Sequence, residues 1–257
     1  MKKMIAAIAA AGALVAGALP AQAAPKDPVG VLKSLMKPGV GVRFSDITMM
    51  SADGGSVDLV KRKGVFAFGK KGFAAYDITS RIVSPTIEMT DSRKPERVIG
   101  MGKDLYLNGG SWAEDMPKGK TWFKTKNVLM GAGGYGFFGQ VINPAELGTL
   151  SALVKRAKRS GNAYTGKVTL KELHKISPWF ASTILARRDT TPVEYTINVA
   201  PSGLVTKVTS TYAAAAVVSF PGLEDEMFTA VSTFTGWGKK VSVKAPDPAL
   251  VTTKLKD

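Results

Sequence analysis

The side chains that most often carry enzyme chemistry are scarce in this chain, which has 257 residues, one histidine and no cysteine. The histidine, His174, would serve as a general base only beside a nucleophile and an orienting acid. The stretch nearest to the G-x-S-x-G turn of serine hydrolases, residues 109–113, ends in alanine instead of glycine. One histidine without a cysteine also disfavours a zinc site. We therefore predict no enzymatic activity, no metal and no other cofactor, although a carboxylate pair that cleaves glycosides stays open.

A glycine-rich stretch, GAGGYGFFGQ at residues 131–140, is not a phosphate-binding loop, because no Lys-Ser or Lys-Thr pair follows its glycines. Glycine gives the backbone conformational freedom, and Tyr135, Phe137 and Phe138 place three aromatic rings in it. Two interpretations stay open. The stretch is either a flap at the mouth of a cavity, with the aromatic side chains at its tip, or an ordinary loop whose aromatic side chains pack into the core.

Residues 1–23 have the features of a secretory signal peptide. Lys2 and Lys3 precede an apolar run at residues 5–19, and Ala21-Gln22-Ala23 is a small-residue cleavage site. The apolar run is short for a membrane span of about 20 residues. We predict cleavage before Ala24, a single domain over residues 24–257, and a secreted protein associated with the cell envelope.

Positive charge dominates the composition. Lysine and arginine number 35 against 20 aspartates and glutamates, and the formal net charge is +15. Outside the cytoplasm this charge favours an anionic membrane surface or wall polymer as a partner. Nucleic acid is not a predicted partner, because the basic residues are scattered and not interleaved with aromatic residues. Without cysteine, neither a disulfide nor a lipid anchor holds the chain, and we predict a monomer.

Most of the chain alternates apolar and polar residues with a period of two, which predicts β-strands. Runs rich in valine, isoleucine, phenylalanine, tyrosine and threonine occupy residues 39–125 and 192–246. Asp53-Gly54-Gly55 and Asn108-Gly109-Gly110 predict hairpin turns between them. Apart from a short helix at residues 28–37, the helical patterns lie between the two strand regions. The order predicts an α+β fold in which about ten antiparallel strands form one sheet with helices on a single face.

One helix is predicted from Asn143, as the N-cap, to Gly161, where glycine ends it. Its apolar residues recur every three to four positions on one face: Leu147, Leu150 and Val154. Basic residues crowd its predicted last turn, where the helix dipole favours cations: Lys155, Arg156, Lys158 and Arg159. These four either contact an anionic head group or membrane surface, or remain solvated.

A second helix is predicted from Thr169, with Glu172 completing a capping box. Pro178 interrupts this helix, and Ser177 is the predicted N-cap of a further piece. The apolar residues of that piece are Trp179, Phe180 and Ile184.

Residues 232–251, STFTGWGKKVSVKAPDPALV, have the pattern aromatic-x-x-Trp-Gly-x-x-Val-x-Val-x-x-Pro. The residues that fill it are Phe234, Trp237, Gly238, Val241, Val243 and Pro246. Upstream lie GKTWFKT at 119–125, NPAEL at 143–147 and VEYTINVAPSGLVTKV at 193–208. In this order the segments resemble those of the LolA/LppX-type lipid carriers of actinobacterial envelopes. The resemblance covers most of the chain, without the lipobox cysteine of that family.

The resemblance implies a half-open antiparallel β-barrel around helices, with an apolar cavity that carries a lipid or a lipid-linked glycan. Physical chemistry agrees, since two short helices do not fill a concave sheet and each buried methylene of an acyl chain contributes about 0.8 kcal/mol. The predicted cavity residues come from the helices: Leu147, Leu150, Val154, Trp179, Phe180 and Ile184. The alternative function is a secreted, wall-associated binding or sensory module with no lipid cavity.

Overall fold

The structure of the protein, a computed structural model, describes residues 26–52, 55–70, 72–84, 94–127, 131–183, 190–216 and 225–256. The predicted signal peptide lies outside these residues. The strands, in chain order, are β1 (Val40–Ala52), β2 (Gly55–Gly69), β3 (Gly72–Ile82), β4 (Glu96–Met101), β5 (Asp104–Gly109), β6 (Trp122–Thr125), β7 (Lys158–Ser160), β8 (Ala163–Thr169), β9 (Pro192–Val199), β10 (Val205–Ala213), β11 (Met227–Lys240) and β12 (Val251–Thr252).

These twelve strands form one sheet in the order β12-β6-β5-β4-β3-β2-β1-β11-β10-β9-β8-β7. Neighbouring strands are antiparallel, except that β12 runs parallel to β6. β12 and β7 are the two edges, so the sheet is open. This confirms the predicted α+β fold. The sheet exceeds the predicted ten or so strands because β7 and β12, with three and two residues, are too short to leave a pattern in the sequence.

Alternating burial gives the sheet an inner face, which the helices cover, and an outer face. On β9, for example, Tyr195 and Ile197 are buried, and Glu194 between Val193 and Tyr195 is exposed. The period-two pattern of the sequence thus reports which side chains point inward. The same alternation also places two charged residues, Asp46 of β1 and Arg62 of β2, on the inner face, where they are buried.

Four α-helices lie in the described residues: α1 (Pro28–Leu35), α2 (Leu147–Arg156), α3 (Leu170–Ile176) and α4 (Pro178–Thr183). The buried leucines of α1, α2 and α3, together with Trp179 and Phe180 of α4, share one core with the inner face of the sheet. The predicted capping box is confirmed, because Thr169 Oγ1 accepts from the Glu172 backbone N–H while the Glu172 carboxylate accepts from that of Thr169. The predicted break at Pro178 is also confirmed, with Ser177 Oγ accepting from the backbone N–H of Phe180.

The predicted helix from Asn143 to Gly161 is wrong at both ends. It begins at Leu147, and Asn143 instead closes a turn in which its side chain accepts from the backbone N–H of Ala145. At the other end, Ala157 adopts an extended conformation and β7 begins at Lys158. Pairing of residues 158–160 with β8 replaces the helical hydrogen bonds that a longer helix would make.

The C-terminal signature closes the core and then covers the outer face. Trp237 stacks on Phe68, with ring centroids 6.1 Å apart, and donates a 2.7 Å hydrogen bond from its Nε1 to the carbonyl of Val205. Val243 and Val251 then pack on the outer side chains of β4, β5 and β6. Trp237 and Val243, two of the residues that fill the C-terminal signature, therefore contribute to packing.

Candidate functional site

A cleft with a volume of about 560 Å³ lies between the inner face of the sheet and the helices. We call it the rim cleft, because it opens at the end of the sheet that carries the β2–β3 and β4–β5 turns. Its helical wall comes from the start of α2, the end of α3 and the start of α4. Its apolar lining residues are Phe73, Tyr76, Leu105, Leu147, Ile176 and Pro178. Ligand pockets typically have volumes of about 300–1,000 Å³, so the cleft has the size of a binding site.

Aromatic rings form a rigid wall beside the cleft. Trp179 of α4 meets Phe66 and Tyr76 of the sheet edge to face, with both pairs of ring centroids 5.4 Å apart. Phe73 completes the group, 6.2 Å from Trp179. Aromatic rings favour such edge-to-face arrangements, so these contacts stabilise the wall.

Glu146 joins the helices beside the cleft. Its carboxylate accepts hydrogen bonds from the hydroxyls of Thr149 and Ser177, at 2.9 and 2.5 Å, and from the backbone N–H of Trp179 at 2.6 Å. Burial raises the pKa of this carboxyl, while the three hydrogen bonds lower it to a smaller extent. The Glu146 carboxylate therefore fixes the start of α4 against the start of α2. It also makes one wall of the cleft polar, together with Thr149.

The centre of the inner face is occupied by residues 131–146, which we call the inner segment. Its buried apolar residues are Ala132, Tyr135, Phe138, Val141, Ile142 and Ala145. Glu96 of β4 holds its first part, since the carboxylate accepts from Gly134 N, Tyr135 N and Trp112 Nε1 at 2.8, 3.2 and 2.6 Å. Burial raises the pKa of Glu96 more than these hydrogen bonds lower it. Gly133 is required beside the carboxylate, because its φ is +77° and a Cβ there would overlap Glu96.

A buried ion pair lies beneath the second part of the inner segment. Arg62 Nη2 and Asp46 Oδ2 are 2.7 Å apart, and their side chains are 3% and 1% exposed. Gly139 passes directly over the guanidinium, where a Cβ would overlap it. Gln140 then donates to the carbonyls of Val208 and Ala230 and accepts from Ser210 Oγ, so polar contacts fix the inner segment to β10 and β11.

The predicted cavity residues divide between the cleft and the packed core. Leu147 lines the rim cleft, and Trp179 supports its aromatic wall. Leu150 and Phe180 are at most 1% exposed and lie in the core, while Val154 is half-buried against the same core. Ile184 lies outside the described residues. The lining that the sequence did not single out comes from the sheet, namely Phe73, Tyr76 and Leu105; alternation alone would have placed Tyr76 inward.

Two aromatic side chains of the glycine-rich stretch are not at an exposed tip. Tyr135 and Phe138 are buried, and residues 134–138 form a short 3-10 helix. Phe138 packs against Phe228 of β11, with ring centroids 6.0 Å apart. The side-chain position of Phe137 lies outside what the structure describes. The arrangement matches the alternative in which the aromatic side chains pack into the core.

The predicted basic residues are exposed, but they belong to two elements instead of one. Lys155 and Arg156 end α2, whereas Lys158 and Arg159 lie on β7, because the helix stops earlier than predicted. Arg156 forms an ion pair with Glu172 at 3.3 Å, and the Arg159 guanidinium lies 5.5 Å above the Tyr164 ring. None of the four lines the rim cleft in the described residues.

His174 is exposed on α3, with its ring 6.3 Å from that of Phe180, and does not line the cleft. Within the described residues there is no group of three or more histidine, aspartate or glutamate side chains placed to hold a metal ion. No helix in the same residues is long and apolar enough to cross a membrane.

No protein-family model and no curated protein sequence matches the chain. Solved structures do. Lipoprotein LppX of Mycobacterium tuberculosis is 11% identical with a TM-score of 0.38, over 84% of this chain and 96% of that one. A LolA superfamily protein of Nitrosomonas europaea is 9% identical with a TM-score of 0.31, over 81% and 90%. A DUF1329 family protein of Desulfovibrio piger is 11% identical, with a TM-score of 0.31 and coverage of 82% and 92%.

Proposed function

We propose that the protein is a non-enzymatic lipid-binding protein that acts outside the cytoplasm and holds an acyl chain in the rim cleft. The observation that carries the proposal is the cleft itself, which is about 560 Å³ in volume and has mostly apolar and aromatic walls. Ten methylenes buried there would contribute about 8 kcal/mol, which far exceeds the contribution of any surface ion pair. The apolar volume therefore dominates the affinity.

The ligand is a lipid or a lipid-linked glycan whose head group stays at the mouth of the cleft. Lys103, in the β4–β5 turn, is exposed beside that mouth. The basic residues at the end of α2 and on β7 lie farther away, since nine residues of helix separate Leu147 from Arg156 by about 14 Å. Their proposed partner is an anionic membrane surface, which can meet the protein while the cleft receives the ligand.

The inner segment borders the cleft at both ends, through Gly131 and Glu146. Displacement of its first part, residues 131–138, would extend the cleft along the inner face, while Gln140 keeps the second part on β10 and β11. In this form the flap prediction remains part of the proposal: residues 131–138, with Tyr135, Phe137 and Phe138, are the part that moves.

The test compares two residues that lie seven positions apart on the same face of α2. Leu147 lines the cleft, whereas Val154 is half-buried away from it. We expect Leu147→Gln to weaken the binding of cis-parinaric acid, followed by its fluorescence, about tenfold or more, because it places an amide against the acyl chain. Val154→Gln should leave that affinity within about twofold.

Native mass spectrometry of the secreted protein provides the second measurement. The wild-type chain should retain a co-purified lipid that organic extraction releases. Equal affinity of Leu147→Gln and Val154→Gln for cis-parinaric acid would show that the ligand does not occupy the rim cleft. A wild-type chain that neither retains lipid nor binds cis-parinaric acid would contradict the lipid-binding proposal and favour a binding module without a lipid cavity.

A further inference from the structure

The outer face of the sheet carries a second recess, also with a volume of about 560 Å³, which we call the outer groove. Its walls come from the outward side chains of β1, β2, β3 and β11. The polar residues among them are Ser45, Lys61, Lys63, Thr79, Arg81 and Thr233. Nothing in the proposed function of the rim cleft uses this face.

Strand register aligns these side chains in a continuous polar row. Lys207, Thr233, Ser45, Lys63, Thr79 and Arg97 are successive partners across β10, β11, β1, β2, β3 and β4. Five steps between strands, each of about 4.8 Å, give the row a length of about 24 Å. A second row on the same face, two residues along the strands, places Lys61 opposite Arg81. Cations and hydroxyls therefore extend across the strands.

Several cations of these rows are available to a ligand. Lys61 pairs with Asp58 and Arg97 pairs with Asp77, but no carboxylate of the described residues lies within ion-pair distance of Lys63, Arg81 or Lys207. All three are exposed. Asp46 borders the groove, but its side chain is buried and paired with Arg62, so it does not neutralise them.

We propose that the outer groove binds a linear phosphate-bearing polymer that runs across the strands. Lysine, arginine, serine and threonine are side chains that contact phosphate oxygens, and these four types make up the row. A single-stranded nucleic acid would need aromatic side chains for base stacking, and none lines the groove in the described residues. A membrane surface would need large, exposed apolar side chains to insert. Those of the described residues, Met227 and Leu250, lie outside the groove, and Ile47 and Val231 within it are half-buried.

The test measures binding of the full secreted chain to fluorescently labelled poly(glycerol phosphate) by anisotropy. The groove variant Lys63→Gln/Arg81→Gln/Lys207→Gln removes two lining cations and the lysine at the β10 end of the row. It should bind about tenfold more weakly or worse, with a flatter salt dependence, because fewer counterions are released. The control variant Lys33→Gln/Lys37→Gln/Lys118→Gln removes the same charge from exposed positions elsewhere and should bind within about twofold of the wild type. All six side chains are exposed, so both variants should fold.

Three results would overturn the proposal. The first is an equal loss in both variants, which would mean that net charge alone attracts the polymer. The second is tighter binding, sensitive to the groove variant, to phosphatidylglycerol vesicles or to oligothymidylate, which would identify a membrane or a nucleic acid as the occupant. The third is no binding of poly(glycerol phosphate) by the wild type.

Discussion

Two halves of the inner face are covered in different ways. Over β1, β2 and β10, the sheet presents the polar groups of Asp46, Arg62 and Ser210; Gly139 lies over the Arg62 guanidinium, and Gln140 accepts a hydrogen bond from Ser210. At the ends of β3 and β5 beside the β2–β3 and β4–β5 turns, the sheet presents Phe73, Tyr76 and Leu105, and the rim cleft stays open. Directional polar contacts fix one covering segment in one place, whereas an apolar wall accepts any apolar group of suitable shape. The first half therefore supplies rigidity and the second supplies a binding surface.

The largest expected effect comes from breaking the buried ion pair. Arg62→Met leaves Asp46 buried without its partner, so we expect the free energy of unfolding to fall by about 3–5 kcal/mol. The outer face provides a matched control, because Arg97 and Asp77 are 2.6 Å apart with side chains 48% and 25% exposed. Arg97→Met should cost less than about 1 kcal/mol. Urea unfolding of both variants measures the difference; equal losses would mean that burial does not set the strength of these pairs.

A smaller effect separates two leucines of α2. Leu150→Ala should cost about 2–5 kcal/mol, because the side chain is 1% exposed and its removal leaves a cavity in the core. Leu147→Ala removes the same atoms from the wall of an open cleft and should cost less than about 1 kcal/mol. Thermal or urea unfolding tests the order. A loss at Leu147 as large as that at Leu150 would show that the rim of the cleft belongs to the rigid core.

Local patterns predicted the fold well where a few neighbouring residues decide the structure. Thr169 and Glu172 satisfy each other's backbone within three residues, and β9 alternates buried and exposed side chains as its sequence does. Asn143 shows the limit of such signals, since an Asn-Pro pair suits a tight turn as well as a helix start. Whether a turn or a helix start forms at Asn143 depends on how the rest of the inner segment packs in the core.

Long-range partners decided what the sequence left open. The aromatic side chains of the glycine-rich stretch suit an exposed tip or a core, and Glu96, 38 residues before Gly134, fixes the backbone so that Tyr135 and Phe138 point inward. Asp46 and Arg62 lie at inward positions of the alternating pattern. From the sequence alone, however, a charged residue in a strand is expected to be exposed, so their buried ion pair was not predicted. For the cleft, the sequence indicated the helical wall at Leu147 and missed the sheet wall.

The smallest expected effect distinguishes two buried glutamates: Glu96 of β4, which binds the first part of the inner segment, and Glu146, which is its last residue. Glu96 accepts from three N–H groups, which cannot reverse their direction. Glu96→Gln therefore leaves a buried donor facing another donor and should cost about 1–3 kcal/mol at neutral pH. Glu146 accepts from two hydroxyls, which can rotate to accept from an amide. Glu146→Gln should consequently change the stability by less than about 1 kcal/mol.

The pH dependence sharpens this comparison, because burial raises the pKa of both carboxyls. Between the unfolded value of about 4.5 and the raised native value, the folded state holds more protons than the unfolded state, so each group makes stability fall as the pH rises. Because glutamine does not titrate, urea unfolding from pH 4.5 to 7 should show a flatter profile for Glu146→Gln than for the wild type. A variant profile parallel to that of the wild type would mean that Glu146 titrates alike in both states, and that its hydrogen bonds to Ser177 and Trp179 offset its burial.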